Sequence, residues 1–300
     1  MSQFEPVTRQ KAKLRLALTG VSGSGKTLSA LYIAYGITGD WGKVALIDTE
    51  HQRGKFYANR EDLRTGTYLY TELAPPYSPD RYKELVADGA KTVGPDGVVI
   101  IDSFTHAWNN EGGVLDIKEQ IASRAGKNSY TAWAEAGKFQ TSLVNTILSV
   151  PCHTIVTMRS KMEYALQIND RGKQEPVKIG LAPVQRDDTE YEFDIVLDIA
   201  RNHVATASKD TTFLDGYGAV ITPELGERLR LWLDEGEESP RCEVCGQIIH
   251  PNRGRSVRDI LSGSNDLMGK QACMDCCIAY QKQKKAKEAQ EKTEQNGNRV

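Results

Sequence analysis

The segment Gly20-Val-Ser-Gly-Ser-Gly-Lys26-Thr27 constrains the fold more than any other feature of the sequence. It matches G-x-x-x-x-G-K-[ST] and lies between an apolar run, 13–19, and a segment with helical spacing, 26–37. A strand, loop and helix of this kind bind phosphate, because glycines let backbone N–H groups converge and the helix amino terminus adds positive potential. The sequence therefore predicts an α/β fold with a nucleotide site, in which Lys26 contacts phosphates and Thr27 binds Mg²⁺.

The rest of the first 234 residues alternates between strand and helix patterns. Strands are predicted at 43–48, 67–73, 98–102 and 153–158, and helices at 79–93, 130–150 and 223–234. This alternation predicts a mostly parallel sheet with right-handed crossovers. Four short strands then follow one another at 164–168, 177–180, 192–199 and 203–208, with turns at Asn169–Gly172 and Arg201-Asn202. Such spacing predicts an antiparallel extension of the sheet.

Two acidic residues follow apolar strands and are candidates for the nucleotide site. Asp102 ends the run Val98-Val-Ile-Ile, and Glu50 comes two residues after the strand that ends at Asp48. Carboxyl ends of parallel strands meet at one edge of a sheet, so both should lie near Thr27. Asp102 is the expected second Mg²⁺ anchor, and Glu50 is a candidate for orienting the attacking water. A solvated loop carboxylate is the alternative for Glu50.

Cysteine placement indicates a second, smaller unit. Five of the six cysteines lie between 242 and 277, and two Cys-x-x-Cys pairs are separated by 27 residues. Four thiolates suit a tetrahedral Zn²⁺, which would stabilise a module too small to fold on its core alone. The expected ligands are Cys242, Cys245, Cys273 and Cys276. Cys277 and His250 are further candidates, and redox-active thiols or a chance spacing of cysteines are the alternatives.

The chain is accordingly divided into a core at 1–234, an acidic linker at 235–240, a zinc-binding module at 241–280 and a charged tail at 281–300. Hydrophobic residues make up 39% of the chain, enough for a core, but no stretch approaches the roughly 20 apolar residues of a membrane span. The start of the sequence has no apolar signal-peptide core. We therefore expect a protein of the cytoplasm that does not associate with membranes.

A resemblance adds to these predictions. The stretch Ala45–His51, with Tyr57 after it, resembles the RecA recombinase strand and loop whose Glu activates water and whose Tyr stacks on adenine, and Ile101-Asp102-Ser103 is similar to the end of the RecA Walker B strand. Over 13–234 the sequence resembles the shortened RecA-like single-strand-annealing ATPases of phages. Further matching stretches are 102–108, Trp133, 157–161, 180–186 and 191–194.

The resemblance implies ATP and Mg²⁺ as cofactors. The implied nucleotide contacts are Gly20, Val21, Ser22, Gly23, Ser24, Gly25, Lys26, Thr27, Leu28, Tyr57 and Asp102. It also implies that Lys209 completes the site of a neighbouring copy in a filament or ring. Three positions depart from RecA. Thr211 stands where RecA has a second Lys, Gly54 replaces an acidic residue near adenine, and the polar sensor aligns with either Met158 or Arg159.

In the resembling proteins, the segments after the third and fourth core strands bind DNA. Here these are 108–128 and 159–186, and the expected single-stranded DNA contacts are Arg159, Lys161, Arg171 and Lys173. Cations with an aromatic residue suit an unpaired strand, although a solvated hairpin is the alternative.

The predicted function is an ATP-hydrolysing, single-strand-annealing or strand-exchange protein of phage-type recombination, in the cytoplasm of a bacterial host and with a single-strand-binding protein as a further partner. A DNA motor of helicase or packaging type and a nucleotide-gated adaptor are the alternatives.

Overall fold

The structure is a computed structural model that describes residues 7–124, 128–168, 174–250, 252 and 254–297, with the backbone alone for 163–168, 174–180 and 289–297. Contacts divide the chain into two compact units. One is Lys13–Leu233, and the other consists of the residues up to Ala12 together with those from Asp234 onward.

Five parallel strands form the centre of the sheet in the larger unit. They are β1 (Arg15–Gly20), β2 (Val44–Asp48), β3 (Leu69–Glu72), β4 (Val98–Asp102) and β5 (His153–Ile168), in the spatial order β3-β2-β4-β5-β1. Both β2 and β4 are buried along their whole length, which explains why each is a continuous apolar run. Because the strands are parallel, the carboxyl ends of β1, β2 and β4 lie at the same edge.

Antiparallel strands extend this sheet. Beyond β1 lies β7 (Ile195–Ile199), which is parallel to β1, followed by the antiparallel strands β8 (Val204–Asp210) and β9 (Gly218–Val220). The strand β6 (Gln174–Pro183) pairs antiparallel with the second half of β5. The described residues therefore form nine strands. The predicted fold class is confirmed. The prediction of separate strands at 153–158 and 164–168 is wrong, because β5 continues through Ser160 by pairing with β6. The predicted turn at 169–172 lies outside the described residues.

Helices cover both faces of the sheet. They are α1 (Lys26–Thr38), α2 (Pro79–Val93), α3 (His106–Asn109), α4 (Val114–Ala122), α5 (Ser129–Ser149) and α6 (Pro223–Asp234). Alternate residues of β2 divide between two cores, since Leu46 packs with α1 and α6 while Ile47 packs with α2 and α5. The α1–α6 contact requires glycine, because a Cβ on Gly36 would lie 2.0 Å from the carbonyl oxygen of Pro223.

The smaller unit contains α7 (Val257–Met268) and α8 (Met274–Gly297). Ser256 caps α7 in a reciprocal capping box with Asp259. The predicted charged tail is helical as far as Gly297, because α8 continues through it. None of the helices in the described part of the chain combines the length and the apolar character that crossing a bilayer requires.

Candidate functional site

The glycine-rich loop joins β1 to α1 at the carboxyl edge of the sheet. Gly23 and Gly25 have φ values of +80° and +95°, a region that side-chain-bearing residues rarely adopt. Lys26 Nζ donates to the carbonyls of Gly20 and Val21, each at 2.9 Å. Burial lowers the pKa of Lys26, while the charges of Asp102 and Glu50 oppose that shift. The Oγ of the fully buried Ser24 has no hydrogen-bond partner among the described residues. An orphaned hydroxyl in this loop fits a loop that binds phosphate.

Thr27 and Asp102 meet beside this loop. The Thr27 hydroxyl donates to Asp102 Oδ2 at 2.5 Å, and the Thr157 hydroxyl donates to Oδ1 at 2.5 Å. Burial raises the pKa of the Asp102 carboxyl, and the hydroxyls of Thr157 and Thr27 oppose the shift. A hydroxyl and a carboxylate side by side are the oxygen ligands that Mg²⁺ prefers, and a cation here would favour the ionised carboxylate. The pair therefore fits the predicted magnesium anchors.

Asp48 shapes the turn that carries Glu50. Its Oδ1 accepts a hydrogen bond from the Glu50 backbone N–H at 2.6 Å, and its Oδ2 accepts from Gly54 N–H at 2.8 Å and from the Tyr70 hydroxyl at 3.1 Å. Sequence reasoning gave Asp48 no role beyond ending β2. An acidic residue at the end of a wholly apolar strand is the signal that could have identified it.

The Glu50 side chain is bound by Arg159. Arg159 Nε lies 2.7 Å from Oε1 and Nη2 lies 2.5 Å from Oε2, so both carboxylate oxygens are engaged by one guanidinium. Burial raises the pKa of Glu50, but the hydrogen bonds and charge of Arg159 outweigh it, and the pKa lies below its usual value. Glu50 is thus an ionised carboxylate at the edge that also carries Lys26 and Asp102. The predicted contact of Arg159 with DNA stays a prediction.

A buried polar cluster joins the ends of β2 and β4. The Thr49 hydroxyl donates to the Ser103 carbonyl at 3.2 Å, accepts from Ser103 N–H at 2.8 Å and lies 2.7 Å from His106 Nδ1. Burial, and next the charge of Arg159, lower the pKa of His106, so the imidazole is neutral near pH 7. The cluster fixes the spacing between the turn of Glu50 and the end of β4. Nothing in the sequence pattern singled out Thr49 or His106.

A family model described as an AAA domain matches residues 12–228, more than half of the chain and the part that holds this edge of the sheet. The chain belongs to the AAA domain family. Its membership makes the protein a P-loop ATPase, which acts on a nucleotide with Mg²⁺. No match was found among curated proteins.

Other predicted nucleotide contacts lie around the same edge of the AAA domain. Tyr57 ends a 3-10 helix at Arg53–Tyr57 and is half-buried against the core, and Leu28 is half-buried in the first turn of α1. A Cβ on Gly54 would lie 2.5 Å from Leu46 Cδ2, so this position has no room for the acidic side chain that RecA carries there. Adenine stacking by Tyr57 stays a prediction.

Lys209 lies away from the phosphate loop of its own AAA domain. It pairs with Val196, which pairs with Ala17 in β1, three residues before Gly20. At about 3.3 Å per residue, Lys209 is on the order of 10 Å from that loop along the strand direction. Its Nζ donates to the carbonyl of Tyr191. The contact of Lys209 with the nucleotide site of a neighbouring copy stays a prediction.

The predicted DNA contacts are only partly described. Lys161 is exposed at the start of the β5–β6 hairpin, where it pairs with Ala182. Arg171 and Lys173 lie outside the described residues.

The four predicted cysteine ligands converge beyond the end of the AAA domain match. The Sγ atoms of Cys242, Cys245, Cys273 and Cys276 all lie within 4.8 Å of one another, so they could hold a metal ion. Cys277 is directed elsewhere, because its Sγ contacts the carbonyl of Ala272 at 3.8 Å. His250 does not belong to this cluster of described side chains.

The thiols of this cluster affect one another's ionisation. Burial raises the pKa of Cys242, but backbone N–H groups of Cys273, Cys245 and Val244 outweigh it and lower the pKa to about 6. Burial, and next the neighbouring cysteines, raise the pKa of Cys276. Cys242 therefore forms a thiolate readily, whereas ionisation of Cys276 is opposed, and a divalent cation bound here would favour the thiolate form of its ligands.

Proposed function

We propose that this AAA-domain ATPase binds single-stranded DNA and uses ATP hydrolysis, stimulated by that DNA, to promote annealing or strand exchange in phage-type recombination. The observation that carries the proposal is the ion pair between Arg159 and Glu50. It connects the carboxylate expected to orient water with the hairpin expected to bind DNA.

Arg159 is the residue at which β5 leaves the central sheet. It is the last residue of β5 paired with β1, opposite Gly20, and the next residue, Ser160, already pairs with Pro183 of β6. Its backbone N–H donates to the Thr105 hydroxyl at 2.9 Å, and its carbonyl accepts from Val184 N–H at 2.7 Å. These hydrogen bonds join the base of the hairpin to the loop after Asp102. A strand of DNA bound to the hairpin would therefore affect the position of Arg159.

The second strand of the hairpin returns to the same loop. Gln185 is buried, donates to the Phe104 carbonyl at 3.2 Å and accepts from Gln140 Nε2 of α5 at 3.0 Å. Buried amides are costly unless bonded, so these contacts hold the hairpin to the nucleotide edge.

Exposed groups near these elements suit an unpaired strand. Met162 and Leu181 are paired across the hairpin and are 41% and 51% exposed, next to Lys161. In the other expected DNA segment, Trp108 stacks with Trp133 at a centroid distance of 6.0 Å, and Lys118 lies over the Trp133 ring. Apolar and aromatic surfaces with cations support binding of bases and phosphates together.

At the nucleotide, Lys26, Thr27 and Asp102 would hold Mg²⁺–ATP, and Glu50 would orient the attacking water. Glu50 is bound by Arg159 in this structure, so its freedom to bind water depends on where the base of the hairpin lies. DNA binding would then alter turnover through Arg159. The position of Lys209, away from its own loop, supports a homo-oligomer in which it reaches a neighbouring site.

ATP turnover with and without single-stranded DNA tests the proposal on wild type, Lys26→Ala and Glu50→Gln. We expect DNA to raise wild-type turnover, Lys26→Ala to lose nucleotide binding, and Glu50→Gln to bind ATP but lose turnover by about 10²–10⁴-fold, the range for a general base. Equal turnover in all three proteins would reject the assignment of these residues.

A nucleotide-gated adaptor is the second candidate function. The observation that favours it is the cysteine cluster, which lies outside the AAA domain match and has an apolar core of its own. An adaptor would turn over slowly and show no stimulation by DNA. The same assay therefore separates the two candidates.

A further inference from the structure

His203 lies in the turn between β7 and β8 and contacts the glycine-rich loop. Its Nδ1 is 2.9 Å from the Ser24 carbonyl oxygen. A carbonyl oxygen can only accept, so Nδ1 carries the proton and donates it to Ser24. The His203 backbone has a φ of +66°, a left-handed conformation that few residues other than glycine adopt, although His and Asn are among those that do so more often. The turn holds this conformation and thereby places the ring against the loop.

The loop is shaped to receive this ring. A Cβ on Gly25 would lie 3.0 Å from His203 Nδ1, and a Cβ on Gly20 would lie 2.5 Å from the carbonyl oxygen of Ile199, at the end of β7. Both glycines therefore allow the end of β7 and the turn after it to lie directly against the loop. Any side chain at Gly25 would crowd the His203 ring.

The contact fixes the orientation of one peptide group. In a planar trans peptide, the carbonyl of one residue and the N–H of the next point in opposite directions. When His203 binds the Ser24 carbonyl, the Gly25 N–H must face the side of the loop away from the histidine. Gly23 and Gly25 give this segment the freedom to rotate its peptide groups, and a rotation would remove an N–H donor from that side.

We propose that His203 is a positioning residue for nucleotide binding. Its Nδ1–H holds the Ser24–Gly25 peptide with the Gly25 N–H available to a phosphate oxygen, and the β7–β8 turn thereby acts as a support for the phosphate loop. The inference rests on the proposed binding of phosphates by this loop. It adds a residue that lies outside the phosphate-loop motif.

Two substitutions separate the hydrogen bond from the backbone conformation. Asn tolerates positive φ and places an amide N–H close to the position of Nδ1, whereas Gly tolerates the same φ without a donor. We expect His203→Gly to weaken binding of a fluorescent ATP analogue by about 5- to 10-fold, the effect of one lost hydrogen bond. We expect His203→Asn to stay within about twofold of wild type. Thermal unfolding of both variants, without nucleotide, reports their stability.

Wild-type affinity in His203→Gly would overturn the inference, and so would equal weakening in both variants, since the donor would then not be the cause. A variant that melts far below wild type is measured at a temperature where circular dichroism shows it folded. Lys26→Ala is the separate control for the phosphate loop. If Lys26→Ala also binds the analogue normally, the proposed nucleotide site itself fails, which is distinguishable from a failure at His203 alone.

Discussion

At the scale of single residues, polar side chains are buried where the strands end. Asp48, Thr157 and Ser103 are fully buried, and Asp102 is 4% exposed. Burying such groups costs free energy unless hydrogen bonds compensate, and most of these groups are bonded to one another or to the backbone. These hydrogen bonds connect the ends of β2, β4 and β5 at the edge that carries the phosphate loop.

His153, at the opposite end of β5, provides a test of how one buried polar residue affects stability. The ring is 6% exposed, and Nδ1 accepts from Leu14 N–H at 3.0 Å, which requires a neutral ring. Burial and, after it, the charges of Lys13 and Arg15 lower its pKa to about 3. In the unfolded chain the His153 ring is protonated below about pH 6.5, whereas in the folded chain it stays neutral down to about pH 3. The contribution of His153 to stability is fully present above pH 6.5 and falls as the pH drops towards 3.

Below pH 6.5 we expect protonation of His153 in the unfolded chain to lower the free energy of unfolding by about 1.4 kcal/mol for each pH unit. In His153→Asn, the side-chain oxygen can still accept from Leu14 N–H but does not titrate. Urea unfolding at pH 6.5 and pH 5.0 should show the wild type losing about 2 kcal/mol more than this variant. Equal losses in both proteins would show that His153 is protonated without penalty in the folded state.

At the scale of elements, the β5–β6 hairpin and the turn after β2 meet at the pair of Arg159 and Glu50. If this pair transmits DNA binding to the nucleotide site, Arg159→Gln should bring the ratio of turnover with and without single-stranded DNA close to one. Lys161→Gln is the matched control, two residues further along β5. It should weaken DNA binding but keep the wild-type ratio at saturating DNA. A wild-type ratio in Arg159→Gln would show that the pair plays no part in coupling.

The elements also show how far the sequence predicts this fold. The bounds of α2 and β4 agree with the prediction because Pro79 begins the helix and β4 is a wholly apolar run. The continuity of β5 escaped prediction, since its outer half is stabilised by pairing with β6 and carries polar residues. The short helices α3 and α4 were not predicted, because 108–128 was assigned only as a DNA-binding segment and no secondary structure was assigned between 102 and 130.

Part of the site could also be predicted from the sequence. Thr27 and Asp102 were expected together because parallel strands bring their carboxyl ends to one edge. The contacts of Arg159 with Glu50 and of His203 with Ser24 join segments 109 and 179 residues apart. They depend on strand order and turn conformation, which a local pattern does not specify.

At the scale of the whole molecule, the two units are stabilised by different means. The larger unit has an apolar core on each face of its sheet. The smaller unit has a buried cluster of five residues, Cys242, Ile249, Ile260, Ala272 and Cys277. So small a core contributes little, whereas a structural Zn²⁺ contributes on the order of 10 kcal/mol to folding. The cysteine unit should therefore depend on metal, and the ATPase unit should not.

A zinc-selective chelator should release about one zinc per chain and unfold the cysteine unit, while the ATPase unit keeps its affinity for Mg²⁺–ATP. Adjacent cysteines provide the controls. Cys276→Ser removes a sulfur of the four-atom cluster and should lose the metal, whereas Cys277→Ser changes a thiol that faces the Ala272 carbonyl and should retain one zinc. Metal content by atomic emission, with proteolysis to locate the unfolded unit, measures both effects. Zinc retained in Cys276→Ser but lost in Cys277→Ser would reverse the assignment of the fourth ligand. A chain that purifies without bound metal and keeps this unit folded would show that the unit does not depend on a metal.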